Sequence, residues 1–369
     1  MRLARVAAPA AVVALAVAAA WLPLPADAVE RYYSRGWYPF LQSHLTAWSN
    51  GTRLSLFDAL ILIVSSVLLI AWARWIAAAW RARSIRPVAR AAGVTVVAAS
   101  IVYLWFLAAW GLNYARVPLE AFVDYEPSRV TDAALRVLAN RATESVNATY
   151  AAGHAAGFPA DDEIPPALLT AFHDVERQLG RPRAITPSRP KHTLLEPFFR
   201  ASGVDGMHAP FLLETLLNSD LTPPERPIVL AHEWAHLAGY APEDDASFVG
   251  LLAALRADPG SRYSAWLALF DDVVSQLPRP DQGQLVLRLD AGPAADRRAI
   301  AARLQSLNAT VSKASWQTYD QYLKAQGVRE GVQSYRRVVQ LLLGSKMGAG
   351  LIDDSATEST QKPQDGSSQ

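Results

Sequence analysis

Three long apolar segments near the N-terminus constrain this chain more than any other feature of its sequence. They run from about Val6 to Leu24, from about Leu56 to Trp75 and from about Ala92 to Leu112. A helix needs about 20 mostly apolar residues to cross the hydrocarbon core of a bilayer. The sequence therefore predicts a membrane anchor in residues 1–112, with three transmembrane helices at about 6–24, 56–75 and 92–112.

The first segment also has the features of a signal peptide. Arg2 and Arg5 precede the apolar run, and Ala26-Asp27-Ala28 resembles a signal-peptidase cleavage site. Because the run is long for a signal core, we interpret it as an uncleaved span. The sequence alone leaves open whether residues 1–28 are removed.

The loop between the second and third segments indicates the orientation of the anchor. It contains no acidic residue and five arginines: Arg74, Arg81, Arg83, Arg86 and Arg90. Loops rich in lysine and arginine remain in the cytoplasm. We therefore expect the N-terminus in the cytoplasm and the residues after Asn113 on the extracytoplasmic side.

The rest of the chain reads as one soluble domain and a tail. Residues 113–350 have mainly helical patterns, with room for a few short strands around Met207–Leu213. Residues 351–369 have few apolar side chains and are predicted to be disordered. The formal net charge of +1 does not suggest a nucleic-acid partner. The absence of cysteine excludes disulfides, thiolate zinc ligands and cysteine nucleophiles.

The stretch Arg226–Tyr240, with the sequence RPIVLAHEWAHLAGY, contains the strongest functional pattern. Thr222 and Glu225, just before it, have the spacing of a helix capping box. The stretch is therefore predicted to form a helix. On that helix His232 and His236 lie on one face, about one turn apart.

Two imidazoles in that arrangement can bind one Zn²⁺ ion. Zinc lowers the pKa of a bound water molecule towards about 7, and Glu233, the next residue after His232, can accept the proton. This is the logic of the His-Glu-x-x-His motif. The surrounding residues are apolar, and a buried glutamate between two histidines needs compensation, which a metal supplies. The sequence therefore predicts zinc ligands at His232 and His236 and a general base at Glu233.

A catalytic zinc ion usually has a third protein ligand. The metzincin pattern would place a histidine where this chain has Pro242, so that class is disfavoured. Three carboxylates follow directly, Glu243, Asp244 and Asp245, at the predicted start of another helix. Acidic residues are also favoured there by the helix dipole. Spacing predicts a ligand among the three without choosing between them.

Several separated stretches make the chain similar to a known family. They are Val29–Ser34, Trp110–Tyr114, Gly206, Pro210-Phe211, Glu214, HEWAHLAGY with the following EDDASF, Tyr322–Lys324 and Ser334–Val338. Together they resemble the bacterial domain-of-unknown-function family numbered thirty-eight-ten over nearly the whole chain. The resemblance implies a three-span protein of the bacterial cytoplasmic (inner) membrane with a mostly helical, zincin-like extracytoplasmic domain and the activity of a zinc peptidase.

The resemblance also bears on the third ligand. The family pattern after the motif is E-D-E-A-N-F, whose last Glu aligns with Asp245 and whose Asn aligns with Ser247. A similar Glu-Ala-Asn element supplies the third ligand in ImmA/IrrE-type peptidases. The resemblance therefore implies Asp245 as the third ligand. Since aspartate is one methylene shorter than glutamate, the second helix would have to lie closer to the metal.

Further residues are candidate contacts for the substrate or for an oxyanion. His208 replaces a family tyrosine and either faces the metal site or lies on the surface. Glu214 lies near a predicted edge strand that would hold a substrate backbone. Tyr335 and Arg336 belong to a predicted helix, Glu330–Leu343, and either hold the substrate or serve packing.

We therefore expect a membrane-anchored zinc metallopeptidase that hydrolyses peptide or protein substrates on the extracytoplasmic side. The alternative is a non-catalytic membrane protein whose outer domain binds a partner or the cell wall, with a structural or lost metal site. An intramembrane protease is disfavoured, because the apolar run Ile228–Tyr240 is too short to cross a bilayer.

Overall fold

The structure is a computed structural model that describes residues 2–305, 307–325 and 335–350. Within these residues the protein is mainly helical and has one small sheet, as predicted. The predicted disordered tail, residues 351–369, lies outside the described residues, as does the beginning of the predicted helix Glu330–Leu343.

The N-terminal part consists of helices α1 (Arg2–Trp21), α2 (Ala26–Ala28), a π-helix (Val29–Trp37), α3 (Tyr38–Ser49), α4 (Leu56–Ala82) and α5 (Arg86–Ala109). Helices α4 and α5 are long and apolar enough to cross a membrane, which confirms two of the predicted spans. Helix α1 meets this criterion only together with Ala26–Ser49, to which it is bent by 115°. The described residues therefore contain two candidate spans, or three if the bent pair forms one span.

The C-terminal part begins with three short 3-10 turns, Gly111–Ala115, Leu119–Phe122 and Pro127–Arg129. It continues with α6 (Asp132–Ala156), α7 (Pro166–Gln178), β1 (Pro190–Lys191), α8 (Glu196–Ser202), β2 (Gly206–Ala209), β3 (Glu214–Leu217), α9 (Arg226–Leu237), α10 (Glu243–Arg256), α11 (Pro259–Ser275), α12 (Arg279–Leu287), α13 (Ala291–Leu304), α14 (Ala309–Ala325), α15 (Tyr335–Gly344) and α16 (Lys346–Ala349).

The small sheet packs beside the motif helix α9. Its strand order is β1-β3-β2, with β1 parallel and β2 antiparallel to β3. In the antiparallel pair Gly206 lies opposite Leu217, and Ala209 lies opposite Glu214. Strand β2 is thus an edge strand of the described sheet, and it confirms the short strand predicted around Met207.

Helix α10 is the centre of the outer core and is buried on nearly every side by α7, α9, α11 and α15. A helix that is enclosed in this way requires small residues where a neighbour comes close. Gly250 is such a residue, because a Cβ there would lie 2.8 Å from the backbone nitrogen of His232 and 3.0 Å from the carbonyl oxygen of Ala231. Glycine therefore allows the backbones of α9 and α10 to approach at the motif.

The segment between α1 and α4 packs into the outer core, across the boundary predicted at residue 112. Val29, Tyr33 and Tyr38 are buried in the same apolar cluster as α9 and α10. The carboxylate of Glu30, in the π-helix, accepts hydrogen bonds from Arg116 at 2.7 and 2.9 Å. The anchor and the outer core are therefore joined by a substantial packed surface.

Candidate metal centre

The motif helix α9 begins and ends as its sequence predicts. The backbone N–H and the hydroxyl of Thr222 each donate to Oε2 of Glu225 at 2.8 Å, and the two residues form a capping box. The box starts a 3-10 turn, Pro223–Glu225, that leads directly into α9. Gly239 follows the helix with a φ of +84°, in the left-handed region that favours glycine. These signals place both motif histidines on one uninterrupted helix.

Helix α9 brings the two motif histidines against one carboxylate of α10. Nε2 of His232 lies 3.2 Å from Oε2 of Glu243, and Nε2 of His236 lies 3.4 Å from Oε1. Among the described residues these three form the group that could hold a metal ion, with donor atoms within 4.8 Å of one another. Zinc bonds of about 2.0–2.1 Å in a tetrahedral site put neighbouring donors about 3.3–3.4 Å apart. The two N···O separations are therefore close to those of a zinc site, and they are equally those of a histidine–glutamate ion pair.

Hydrogen bonds to the other ring nitrogens orient both imidazoles. Nδ1 of His236 lies 2.9 Å from the carbonyl oxygen of Tyr240, so Nδ1 donates and Nε2 of the neutral ring carries the lone pair. Nδ1 of His232 lies 3.1 Å from Oγ of Ser247 in α10. Partners of this kind commonly fix the orientation of metal-binding histidines. Both Nε2 atoms are thereby directed to the same carboxylate.

Opposite charges compensate one another within the site. Burial alone would raise the pKa of Glu243, but His236 and His232 hold it well below its usual value. Burial alone would lower the pKa of His236, but Glu243 and Glu233 raise it to about 9. Without a metal, a proton therefore supplies the positive charge that the carboxylates require. A bound cation would take over this role and displace the proton.

The motif glutamate, Glu233, is buried beside the two histidines. Its Oε2 has no hydrogen-bond partner among the described residues. The backbone of His208 donates to its carboxylate, and Gly206 leaves room for it, since a Cβ at that position would lie 2.7 Å from Oε1. Burial raises the pKa of Glu233, although the histidines act in the opposite direction. A carboxylate with a raised pKa and a free oxygen is suited to accept and donate protons.

The three carboxylates at the start of α10 have different partners. Glu243 faces the histidines, whereas Asp244 accepts from Nε of Arg337 at 3.0 Å. Asp245, the ligand implied by the family resemblance, lies outside the metal-binding group. Burial and Asp244 raise the pKa of Asp245 well above its usual value, although Arg116 and, to a smaller extent, His236 act in the opposite direction. Among the described residues, Glu243 is therefore the carboxylate of the three that lies with the two histidines, and Asp245 is not part of that group.

His208 lies in the interior, so its interpretation as a surface residue is wrong. It is 8% exposed, and its ring centroid lies 5.3 Å from that of Trp110. Neither ring nitrogen has a hydrogen-bond partner among the described residues. Burial, with a smaller effect of His236, lowers its pKa well below the usual value and keeps the ring neutral. His208 is thus a buried neutral imidazole next to the metal-binding group.

Glu214 occupies a structural position instead of facing the motif. Its carboxylate accepts from Nζ of Lys191 at 2.5 Å and from the backbone nitrogens of Leu56 and Phe57 at 3.2 and 2.7 Å. Both members of the ion pair are completely buried. Glu214 therefore caps the first turn of the candidate span α4. Its hydrogen bonds go to Lys191 and to this turn, as expected for a structural residue.

The two remaining sequence candidates have backbones at the start of α15, but their side chains lie outside the described part of the structure. The contacts of Tyr335 and Arg336 therefore stay predictions. Their neighbour Arg337 links Asp244 to Glu120. The family stretch Ser334–Val338 contains this arginine, which was not among the predicted site residues.

Sequence analysis missed Tyr319 of α14. Its hydroxyl donates to Oε1 of Glu243, the oxygen that faces His236. No motif or spacing in the sequence connects this tyrosine with the histidines, which lie more than 80 residues earlier. Tyr319 is therefore a neighbour of the site that only the tertiary structure reveals.

Residues from the anchor side hold the C-terminal end of α9. The last carbonyl oxygens of the helix and its following turn accept bonds from two side chains that precede the outer core, Tyr38 and Trp110, and from Arg116 near its beginning. The bonds are Trp110 Nε1 to His236 at 2.7 Å, Tyr38 Oη to Leu237 at 2.6 Å, and Arg116 Nη1 to Gly239 at 3.0 Å. The position of the second histidine is thus coupled to the end of α5.

The comparisons with known proteins agree with the resemblance seen in the sequence. No curated protein and no solved structure matches the chain. The family described as "Protein of unknown function (DUF3810)" matches residues 33–343, which include the outer helices, the motif and α5. The chain therefore belongs to the DUF3810 family.

Proposed function

We propose that the protein is a membrane-anchored, zinc-dependent metallopeptidase that hydrolyses peptide bonds on the extracytoplasmic side. The observation that carries this proposal is the convergence of His232, His236 and Glu243 on one point, with the unpartnered carboxylate oxygen of Glu233 beside them. Two imidazoles and one carboxylate are a common protein ligand set for catalytic zinc, which keeps one further position open.

His232, His236 and Glu243 would hold the ion. A bound zinc ion supplies a Lewis acid that polarises a carbonyl group and acidifies water. The hydroxyl of Tyr319 and the Nδ1 contacts of the two histidines orient these ligands. The chain therefore supplies both the ligands and the partners that fix their direction.

Glu233 would move the proton. Its free oxygen can accept a proton from the attacking water molecule, and its raised pKa allows it to donate that proton to the leaving amine. His208 is a second candidate participant, because a buried neutral imidazole can donate one N–H to a substrate carbonyl. In these roles the general base, Glu233, would belong to α9 and the hydrogen-bond donor, His208, to β2.

The arginine-rich ends of α4 and α5, on either side of the short loop 83–85, support the proposed orientation. With that loop in the cytoplasm, the opposite ends of both spans, and the metal centre beside them, face the extracytoplasmic side. The two candidate spans then form the anchor.

The proposal is tested on the full-length protein in detergent. We expect about one zinc per chain, zinc-dependent cleavage of a fluorescence-quenched peptide library, and loss of turnover with retained zinc in Glu233→Gln. A Glu233→Gln variant as active as the wild type would reject the mechanism. Zinc at full occupancy without cleavage of any library member would favour the structural-metal alternative.

A further inference from the structure

Strand β2 connects the metal centre with the ends of the candidate spans. Gly206, its first residue, is in contact range of Glu233, and the backbone of His208 bonds to the same carboxylate. Beyond the strand, the carbonyl oxygen of Phe211 accepts a hydrogen bond from Nε1 of Trp105 at 3.0 Å. Trp105 belongs to α5, so the strand runs from the motif glutamate to a candidate span.

The turn after β2 touches both spans at the same level. The ring of Phe211 stacks on Phe57 of α4 with centroids 6.1 Å apart, and it lies 6.1 Å from Phe106 of α5. Trp105, which is 41% exposed, lies near the end of α5, and tryptophan is enriched where membrane helices leave the hydrocarbon core. The tip of the β2–β3 hairpin therefore marks the membrane boundary.

Apolar side chains near the start of α4 support this placement. Leu54 and Leu194 are 76% and 67% exposed, and Phe198 is also exposed. The backbone nitrogen of Leu194 donates to Asp58, in the first turn of α4, at 2.8 Å. Contact between this side of the outer core and lipid would explain why these apolar side chains are exposed to the surroundings of the protein.

The metal centre is close to that boundary. The ring centroid of His236 lies 6.2 Å from that of Trp110, one residue past the end of α5. From Gly206, beside Glu233, to Phe211 the chain advances five residues, or about 16 Å in an extended conformation. The reactive point therefore lies on the order of 16 Å from the membrane boundary or closer.

We propose that the substrate is a membrane-tethered polypeptide, cut in the extended segment where it emerges from the bilayer. In the described sheet β2 is paired on one side only, and its other edge faces Glu233. An extended segment added to that edge would run between the metal centre and the membrane surface. The scissile bond would then lie within about six residues of the point where the substrate leaves the lipid. This inference rests on the proposed peptidase function.

The test uses full-length protein in liposomes with one 20-residue fluorescence-quenched peptide library in three forms. The first is fused directly to a transmembrane Leu/Ala helix, the second is fused through a long Gly/Ser spacer, and the third has no anchor. We expect the first form to be cut at least about tenfold faster than the free peptide, because tethering raises the local concentration. Mass spectrometry should place its cuts within about six residues of the helix.

The spacer form distinguishes the effect of the distance between the peptide and the lipid from the effect of tethering alone. We expect cuts within the library to be lost or greatly reduced when the spacer moves it away from the lipid. Equal cutting of the free and tethered peptides, or cuts spread along the spacer form, would overturn the inference while leaving the peptidase function intact. Absence of cutting in all three forms would instead count against the proposed function.

A second measurement tests the membrane position without relying on activity. Because the chain contains no cysteine, a single cysteine can be introduced and labelled with a fluorophore. We expect nitroxide lipids to quench a label at Met207→Cys, on β2, more strongly than a label at Leu287→Cys, on α12, which packs on α6 and α11. Equal, weak quenching at both positions would overturn the inference.

Discussion

The assignment of the third ligand leads to a direct comparison of two variants. Glu243→Gln keeps the shape of the side chain but replaces a zinc-binding carboxylate by an amide. Asp245→Asn makes the same change two residues later, at a buried carboxylate that interacts with Arg116 and His236 but lies outside the group of His232, His236 and Glu243. The pair therefore separates ligation from the general effect of removing a buried negative charge.

The geometry of the site indicates how much zinc affinity each variant should lose. Glu243 is the carboxylate within 3.2 and 3.4 Å of the two Nε2 atoms, so its replacement removes one of the three proposed ligands. Changes to groups that only orient a ligand cost about 10–100-fold in metal affinity. Loss of a ligand should exceed that, so we expect Glu243→Gln to weaken zinc binding more than about 100-fold, or about 2.8 kcal/mol. Asp245→Asn should change it by less than about tenfold.

The assay is competition with a chromophoric zinc chelator, using full-length protein in detergent at one fixed pH. Circular dichroism of the metal-free variants verifies that each is folded, and thermal unfolding with and without zinc gives an independent measure of binding. A loss of zinc in Asp245→Asn, with near-normal binding in Glu243→Gln, would refute the assignment and restore Asp245. Equal losses in both variants would refute it as well.

Two further substitutions test contacts of the site. Gly206→Ala places a methyl group against the carboxylate of Glu233. We therefore expect at least about tenfold lower peptidase activity with unchanged zinc content. Full activity would show that a displaced Glu233 carboxylate still functions. For Glu30, burial acts to raise the pKa but the bonds and charge of Arg116 lower it below 4.5 overall. Its stabilising effect is therefore present above pH 4.5 and lost as the pH falls through the folded-state pKa. Glu30→Gln should lower the melting temperature at pH 7, with the difference shrinking below pH 4.5; a pH-independent difference would contradict this.

The motif helix and the spans could be predicted because their signals are local. The capping box of Thr222 and Glu225, the left-handed Gly239 and the spacing of two histidines all act within one helix, so neighbouring residues suffice to specify them. Long apolar runs are equally local, and α4 and α5 were found for that reason. The same holds for the edge strand β2, whose position was predicted although its neighbour in the sheet was not.

The third ligand could not be predicted from spacing because it depends on how two helices cross. Residues two apart on a helix point about 200° away from each other, so Glu243 and Asp245 cannot both face the histidines. Which of them does so is decided by the approach of α10 to α9, and Gly250 makes that approach possible at the backbone of His232. If α10 were rotated by about half a turn around its own axis, Asp245 would face the histidines in place of Glu243.

Glu214 shows the same limit for a buried charge. The sequence places it just before the motif helix, which is typical of a residue that lines an active site. Its actual partner, Lys191, lies 23 residues earlier and meets it only because β1 and β3 pair in parallel. A fully buried charge of this kind requires a paired and hydrogen-bonded partner, and the fold supplies it.

The anchor side of the chain contributes to the outer core as well as to membrane attachment. Tyr33, Tyr38 and Trp110 are buried in the main apolar cluster, and two of them bind carbonyl oxygens at the end of α9. Burying one such side chain stabilises a fold by about 1.5–3 kcal/mol, so three contribute about 5–9 kcal/mol. This is comparable to the whole stability of a typical domain, about 5–15 kcal/mol.

A fragment that begins at residue 113 should therefore fail to fold, even though the metal motif and all three proposed ligands lie within it. We expect fragment 113–350 to lack a cooperative thermal transition and to bind zinc far more weakly than the full-length protein. A fragment that begins at residue 26 would restore Tyr33, Tyr38 and Trp110 and serves as the matched control, in detergent because it retains α4 and α5. A stable, zinc-binding fragment 113–350 would show that the end of α9 does not depend on these residues. Failure of 113–350 with folding of the longer fragment would show that the metal centre is built jointly by the motif helix and the segments that bring it to the membrane.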